Sequence, residues 1–408
     1  MKKTLKLTVA LFTVCSTLNA KDVIWFNGHQ AVSYCVKGKT APVVETALQM
    51  FADDMQLVTG QKAKISKNGI IEVYELDRNR GAVGQLRKRG VPVDSVVGRH
   101  DCFWLGARDG KIIAVGSNGR GCAYAILELS RQAGVSPWVW WADVVPEPKR
   151  KLTFKETLEK LQAPSVAYRG IFINDEDWTI KPWAWLNYDK SAGKGVISAK
   201  TYRQLFKLLL RLRANAIWPG MHSGTKAFYK VPGAMQAADS CGIVVGTSHC
   251  EPMMRNNVGE WDHRKMGDYN YVTNKAGVQQ YWIERLKEAG KNENFYTIGM
   301  RGIHDGAMEG VGSSLDGKTR WLQNVIDDQR KLLKKYVHND LTKIPQQFVP
   351  YKEVLSVMEN GLQVPDDVML TWCDDNYGYM TRLSDSEQQK RSGGSGLLTD
   401  VQYYIIDL

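Results

Sequence analysis

A chain of 408 residues, 43% hydrophobic and 24% charged, has length for two or three domains of roughly 150 residues each and buries a core without metal or disulfide staples. That balance excludes a disordered or fibrous protein. The net charge of +11 comes from dispersed basic residues, with Lys149-Arg150-Lys151 the tightest cluster and no nucleic-acid motif; such a surplus suits an acidic polymer or an envelope surface, and equally solubility alone.

Lys2, Lys3 and Lys6 precede an apolar run from Leu7 to Val14, and Asn19-Ala20 offers a small-residue cleavage site. This pattern predicts a signal peptide over 1–20 and an exported protein, periplasmic or extracellular. The run is shorter than the roughly 20 residues of a membrane span, and no later segment qualifies. Cys15 as a lipid-bearing residue fits less well, because Phe12-Thr13-Val14 is a poor approach to such a cysteine. Removing the three lysines lowers the net charge to +8 and leaves six cysteines with no CxxC spacing. Cys122 and Cys373 sit inside apolar patterns, so free thiols are expected.

Residues 21–150 read as a small α/β layer domain. Val23 to Phe26, Ile70 to Tyr74 and Ile112 to Gly116 are short apolar strands, and Val43 to Val58 carries Val44, Leu48, Phe51 and Met55 at helical spacing. Gly119-Arg120-Gly121 opens a second helix to Gln132. The loop from Ser117 to Gly121 lacks the spacing of a phosphate-binding loop. Trp138, Trp140 and Trp141 suit either a sugar-stacking platform or a domain boundary, with the packing role favoured. Pro146, Pro148 and the basic cluster lead into an expected linker over 151–166.

From 167 onward, strand and helix alternate. Strands are predicted at Arg169 to Ile173, Asn215 to Trp218, Ile243 to Val245, Phe295 to Gly299, Gln347 to Val349 and Val368 to Trp372. Helices fall between them at 199–213, 275–288 and 319–336. Such alternation implies a parallel sheet, and the regular spacing favours a (β/α)8-type TIM barrel, here with about six βα units.

A barrel carries its chemistry where the strands end. Those positions hold Asp175 with Glu176 and Asp177, Trp218 with His222, His249 with Glu251 and Glu260, Arg301 with His304 and Asp305, Tyr351 with Lys352 and Glu353, and Asp374 with Asp375 and Asn376. Buried carboxylates without a task would cost several kcal/mol each, so six such clusters point to a site. Carboxylates among aromatics suit glycoside hydrolysis, which needs an acid and a base across the scissile bond. Arg301 offers a fork for a substrate carboxylate. Taken singly, His249, His304, Glu251 and Glu260 also fit structural roles, Asp177 and Lys352 fit the framework better than the chemistry, and one of Asp374 and Asp375 orders its loop.

Several of these stretches together resemble glycoside hydrolase family 115. They are Gly134 to Val144, Tyr168 to Trp178, His249-Cys250-Glu251-Pro252-Met253, Gly299 to Asp305, Val349 to Val354 and Trp372 to Tyr379, in the family's order. The resemblance implies an α-glucuronidase that removes glucuronic acid, or its 4-O-methyl ether, from glucuronoxylan or its oligosaccharides. It implies inversion and neither metal nor cofactor, with carboxyls roughly 6.5–9.5 Å apart to admit a water. On the matching positions it implies Asp305 as general acid, Glu353 as general base and Asp175 as a third candidate. Arg301, His249, Trp218, Tyr351, Asp375, Asn376 and His304 would bind the uronate. It also implies a homodimer for full-length relatives. A metal-dependent barrel hydrolase using His249 and His304, and a non-catalytic sugar-binding fragment, are the alternatives.

After Gly396 the sequence departs from the family, where an aromatic-rich seventh strand is expected; Val401 to Ile406 has strand character but loses the register. The expectation is a shortened barrel in which strands one and six are open edges, with little or no turnover.

Overall fold

The first elements follow from local chemistry. Val23–Phe26 forms β1 and Ser33–Val36 forms β2. Pro42 presets φ in the first turn of α1 (Pro42–Thr59), and Gly60 ends that helix in the left-handed conformation, φ 77°. Val44, Leu48, Phe51 and Met55 are buried along it. Then come β3 (Lys64–Ile65), β4 (Ile71–Glu75), α2 (Ala82–Lys88), β5 (Phe103–Arg108) and β6 (Lys111–Gly116). The Asn118 side chain caps α3 (Gly119–Gln132) by accepting from the Gly121 N–H at 2.9 Å, so the glycine-flanked loop is a helix start. The computed structural model describes residues 22–375 and 378–399. The expected signal peptide, Asn376 and the stretch 401–406 lie outside the described residues.

The stretch expected as a linker over 151–166 is part of the first domain. It holds β7 (Leu152–Phe154), antiparallel to β1, and β8 (Lys160–Gln162), antiparallel to β5. β8 thereby ends a six-stranded sheet of order β3-β2-β4-β6-β5-β8. Strands of three residues are too short to display a period of two, which is why the sequence hides them.

The second unit runs β9 (Gly170–Phe172), α4 (Ala199–Arg211), β10 (Ala216–Trp218), α5 (Ala234–Ser240), β11 (Val244–Gly246), α6 (Lys275–Ala289), β12 (Asn294–Ile298), α7 (Leu315–Tyr336), β13 (Gln346–Phe348), α8 (Glu353–Glu359), β14 (Met369–Cys373) and β15 (Ser395–Leu398). All seven strands are parallel and neighbours in chain order, the curled sheet of a partial barrel. Seven strands are described, the last with no helix described after it, in keeping with the expected partial barrel of about six βα units. β14, expected as an open edge, pairs with β15 from Leu370↔Ser395 to Cys373↔Leu398. Glycines at 393, 394 and 396 and the single-turn helix after 387 mask this strand in the sequence. Ser314 caps α7 by accepting from Gly317 N–H, starting it one turn before the expected Thr319.

The first domain closes the end of the barrel from which its strands start. Tyr124 donates to the Ala214 carbonyl at 3.1 Å, and Arg211 forks onto Asp54 at 2.9 and 2.7 Å. Arg120 joins Asp101 to Glu293, just before β12. One apolar core runs through both units. The opposite end, where the strands finish, is left for chemistry.

Candidate active site

Arg301, three residues beyond β12 and 3% exposed, is the hub of that end. Its Nε donates to Glu353 Oε1 at 3.0 Å and its Nη2 to Oε2 at 2.8 Å. Its Nη1 donates to Asp305 and lies 3.4 Å from the Cys250 sulfur. One guanidinium thus holds two carboxyls apart on different nitrogens. In the free chain Glu353 occupies the Arg301 fork expected for a substrate carboxylate.

Asp305 also receives Lys352 Nζ, and His249 Nε2 stands 3.3 Å away. Partial burial pushes its carboxyl up, but donation from His249, Lys352 and Arg301 outweighs that and holds it far below the usual carboxylate range. Burial holds His249 below its ordinary value, so it stays a neutral imidazole. Its ring meets Tyr351 at 4.3 Å. Lys352 lies 5.2 Å over the same Tyr351 ring, and Arg301 lies 5.7 Å from it. Lys352, expected as framework, is instead the half-exposed cation of the group. Its left-handed backbone, φ 51°, turns the chain sharply from Tyr351 into α8.

A cleft of about 580 Å³ opens beside this group. Asn174, His249, Tyr351, Asp374 and Asp375 line it, with β9 on one side and β15 on the other. Asp375 also accepts from the Tyr379 N–H at 2.9 Å and so orders its own loop, while Asp374 is buried in the wall. Trp218 packs edge-on against Phe172, in space that the missing side chain of Gly246 leaves free. His304 stands further along, left-handed at φ 56°, its ring 6.3 Å from His222. Asp175 is buried and accepts from the His222 N–H at 2.9 Å, and its other oxygen has no hydrogen-bond partner among the described residues. The structure therefore joins Asp305, Glu353, Arg301, His249 and Tyr351 closely, and sets Asp175 and His304 to one side.

The other acids of these loops are structural. Glu260 is fully buried and accepts from both Arg255 and Arg285. Glu251, also buried, accepts from the Asn257 N–H at 2.9 Å, and burial followed by the Glu260 charge raises its carboxyl well above the usual range. Asp177 pairs with Lys181. Cys250 is the site residue that sequence reasoning passed over; its position between His249 and Glu251 was the available signal.

Ligand atoms of His249, Cys250 and Asp305 lie within 4.8 Å of one another. Two cations already occupy Asp305, and burial keeps the Cys250 thiol protonated, so this trio suits hydrogen bonding and not a bound metal. His304 is not part of it. All six cysteines among the described residues are free. Trp140 and Trp141 pack with Trp183 and Tyr188, and the Trp141 indole donates to the Gln204 carbonyl at 3.2 Å, which gives this tryptophan group a packing role.

No helix among the described residues is long and apolar enough to cross a membrane. No curated protein matches the sequence. Among solved structures, a family GH115 4-O-methyl-α-glucuronidase with specificity for decorated arabinogalactans is 44% identical, with a TM-score of 0.87. The match covers 92% of this chain and 49% of that one, so the chain spans about half the length of this relative. A GH20 exo-β-N-acetylglucosaminidase from Vibrio harveyi shares the fold alone: TM-score 0.52, 11% identity, 92% of this chain and 58% of that one. So does a Flavobacterium johnsoniae chitobiase, with TM-score 0.52, 9% identity and coverage of 88% and 53%. Residues 161–406 match the model of glycosyl hydrolase family 115. A match over more than half the chain, together with the 44% identical relative, means that the chain belongs to glycoside hydrolase family 115.

Proposed function

We propose that the chain is an exported, inverting α-glucuronidase that removes 4-O-methylglucuronic acid from xylan. The observation that carries this reading is the single guanidinium of Arg301 shared by two strand-end carboxyls, Glu353 and Asp305. Arg301 and Lys352 balance these two acids in the free protein. A uronate adds one negative charge, and Lys352 is the cation exposed enough to meet it. Once Lys352 turns to the uronate, Asp305 loses a donor, its carboxyl rises, and it can carry the proton for the leaving oxygen. Glu353 keeps both bonds from Arg301 and activates water from the opposite side. His249 and Tyr351 wall the sugar on the cleft side. Export rests on the pattern over 1–20.

Release of free uronic acid from decorated xylo-oligosaccharides, followed by NMR of the first anomer, tests this. The β-anomer appears first, and Asp305→Ala and Glu353→Ala each abolish release. Calorimetric titration with the same oligosaccharides covers slow turnover: Lys352→Ala weakens binding by about tenfold, the loss of one charged contact. An oligosaccharide that is neither bound nor cleaved overturns the reading, as does an α-anomer. The relative's specificity favours decorated arabinogalactan as the second substrate to assay alongside xylan.

A further inference from the structure

On the far side of the molecule from the catalytic group, a cavity of about 660 Å³ opens at the junction of the two domains. Five of its lining side chains are cationic: Arg131, Lys160, Arg169, Arg211 and Arg213. The one acid in its wall is Asp101. Glu128 lies just behind, fully buried, and takes Arg131, Lys160 and Arg213 at once. Burial pushes the Glu128 carboxyl up, yet these cations outweigh it and hold it at about 2. Asp54 serves Arg211, Asp101 serves Arg169 and Arg120, and Glu293 serves Arg120 again.

The ion pairs fall into three groups, Asp54 with Arg211, Asp101 and Glu293 with Arg120 and Arg169, and Glu128 with Arg131, Lys160 and Arg213, together six cations and four carboxylates. Two positive charges, both in the Glu128 group, have no carboxylate of their own. The side chains that carry the surplus are not all spent. Arg169 donates to the Val166, Ala167 and Arg213 carbonyls as well as to Asp101 and is saturated. Arg131, by contrast, directs Nε and Nη2 to Glu128 and leaves its outer edge at the mouth, its side chain 57% exposed. Lys160 makes one ion pair and is 30% exposed. Arg213 is the strained member: its backbone is left-handed at φ 60°, and burial with the Arg131 charge beside it pulls its guanidinium below the ordinary range in spite of Glu128. A cation surplus gathered in a concavity is complementary to an anion.

We propose that this domain-junction cavity binds a small oxyanion, a sulfate, a phosphate or the carboxylate of an acidic sugar, between Arg131, Lys160 and Arg213. The ligand closes the charge balance and braces the two domains, and it does so independently of the catalytic group at the opposite end of the barrel. Calorimetric titration of the full chain at fixed ionic strength tests it with three probes: sodium sulfate, sodium phosphate and sodium glucuronate, each against sodium chloride. Saturable binding is expected for at least one oxyanion. The Arg131→Gln/Lys160→Gln double variant, checked for native circular dichroism, weakens it by about tenfold or more. Binding of sulfate and phosphate but not glucuronate identifies an inorganic ligand; binding of glucuronate identifies an acidic-sugar carboxylate. Glucuronate binding that survives the double variant but is lost in Lys352→Ala belongs to the catalytic cleft and counts against this site. If the double variant does not fold, Lys160→Met alone is titrated, with the same loss expected. No saturable heat beyond chloride, or equal affinity in the folded variant, overturns the proposal.

Discussion

Asp305 gathers its charge environment from three separate strand ends: His249 after β11, Arg301 after β12 and Lys352 after β13. These donors hold its folded carboxyl below the value of an unfolded chain. A depressed folded value means the carboxylate stabilises the fold fully above the usual carboxylate range, about pH 4, and loses that contribution as pH falls through the folded value. Melting temperatures of the wild type and Asp305→Asn, compared from near neutrality downward, are expected to differ most at neutral pH. The gap narrows as acid protonates Asp305. A gap that is constant or widens in acid contradicts this charge assignment.

At the scale of elements, the strand-end loops are aimed by what their neighbours lack. Gly246, the last residue of β11, has no side chain, and a Cβ built there stands 2.5 Å from the Trp218 indole nitrogen. A real methyl group has no space, since the obstacle is a rigid ring. Gly246→Ala is expected to push Trp218 off Phe172 and cost about 1–3 kcal/mol by urea unfolding. Trp218→Ala in the same background should recover part of that loss, because the clash partner is gone. An additive double variant removes Trp218 as the reason for this glycine. The same scale accounts for Glu260, which lies in a conspicuous strand-end loop yet spends its carboxylate on Arg255 and Arg285.

For the molecule as a whole, the first domain is bolted to the base of the barrel by ions. Arg120 is 8% exposed and bridges Asp101, which is 1% exposed, to Glu293 ahead of β12. Removing Arg120 leaves Asp101 with Arg169 as its remaining arginine and Glu293 without its partner, at about 1–3 kcal/mol for the lost charged hydrogen bonds. Arg120→Ala is expected to lower stability by that order and to speed amide exchange in α3 and at the start of β12 together. Exchange that quickens in α3 alone denies Arg120 the bridging role. This junction also explains why the sequence hides the strands within 151–166. These two short strands gain their partners, β1 and β5, only when residues more than a hundred and more than fifty positions away return beside them.

Periodicity determined the βα alternation, the parallel sheet and the long helices, because amphipathic spacing over ten or more residues is written locally. The strand ends also determined where to look: Asp305, Glu353, Arg301, His249 and Tyr351, chosen along the chain, meet within one hydrogen-bonded and ring-packed group. Only the tertiary structure decided how they divide the work. It gave the Arg301 fork to Glu353, turned Lys352 toward Asp305, placed Cys250 among them and withdrew Glu251 and Glu260 into the framework. Composition and spacing name the charges a chain carries. Which cation neutralises which acid depends on distances across strands and on burial, and both arise only when the sheet curls.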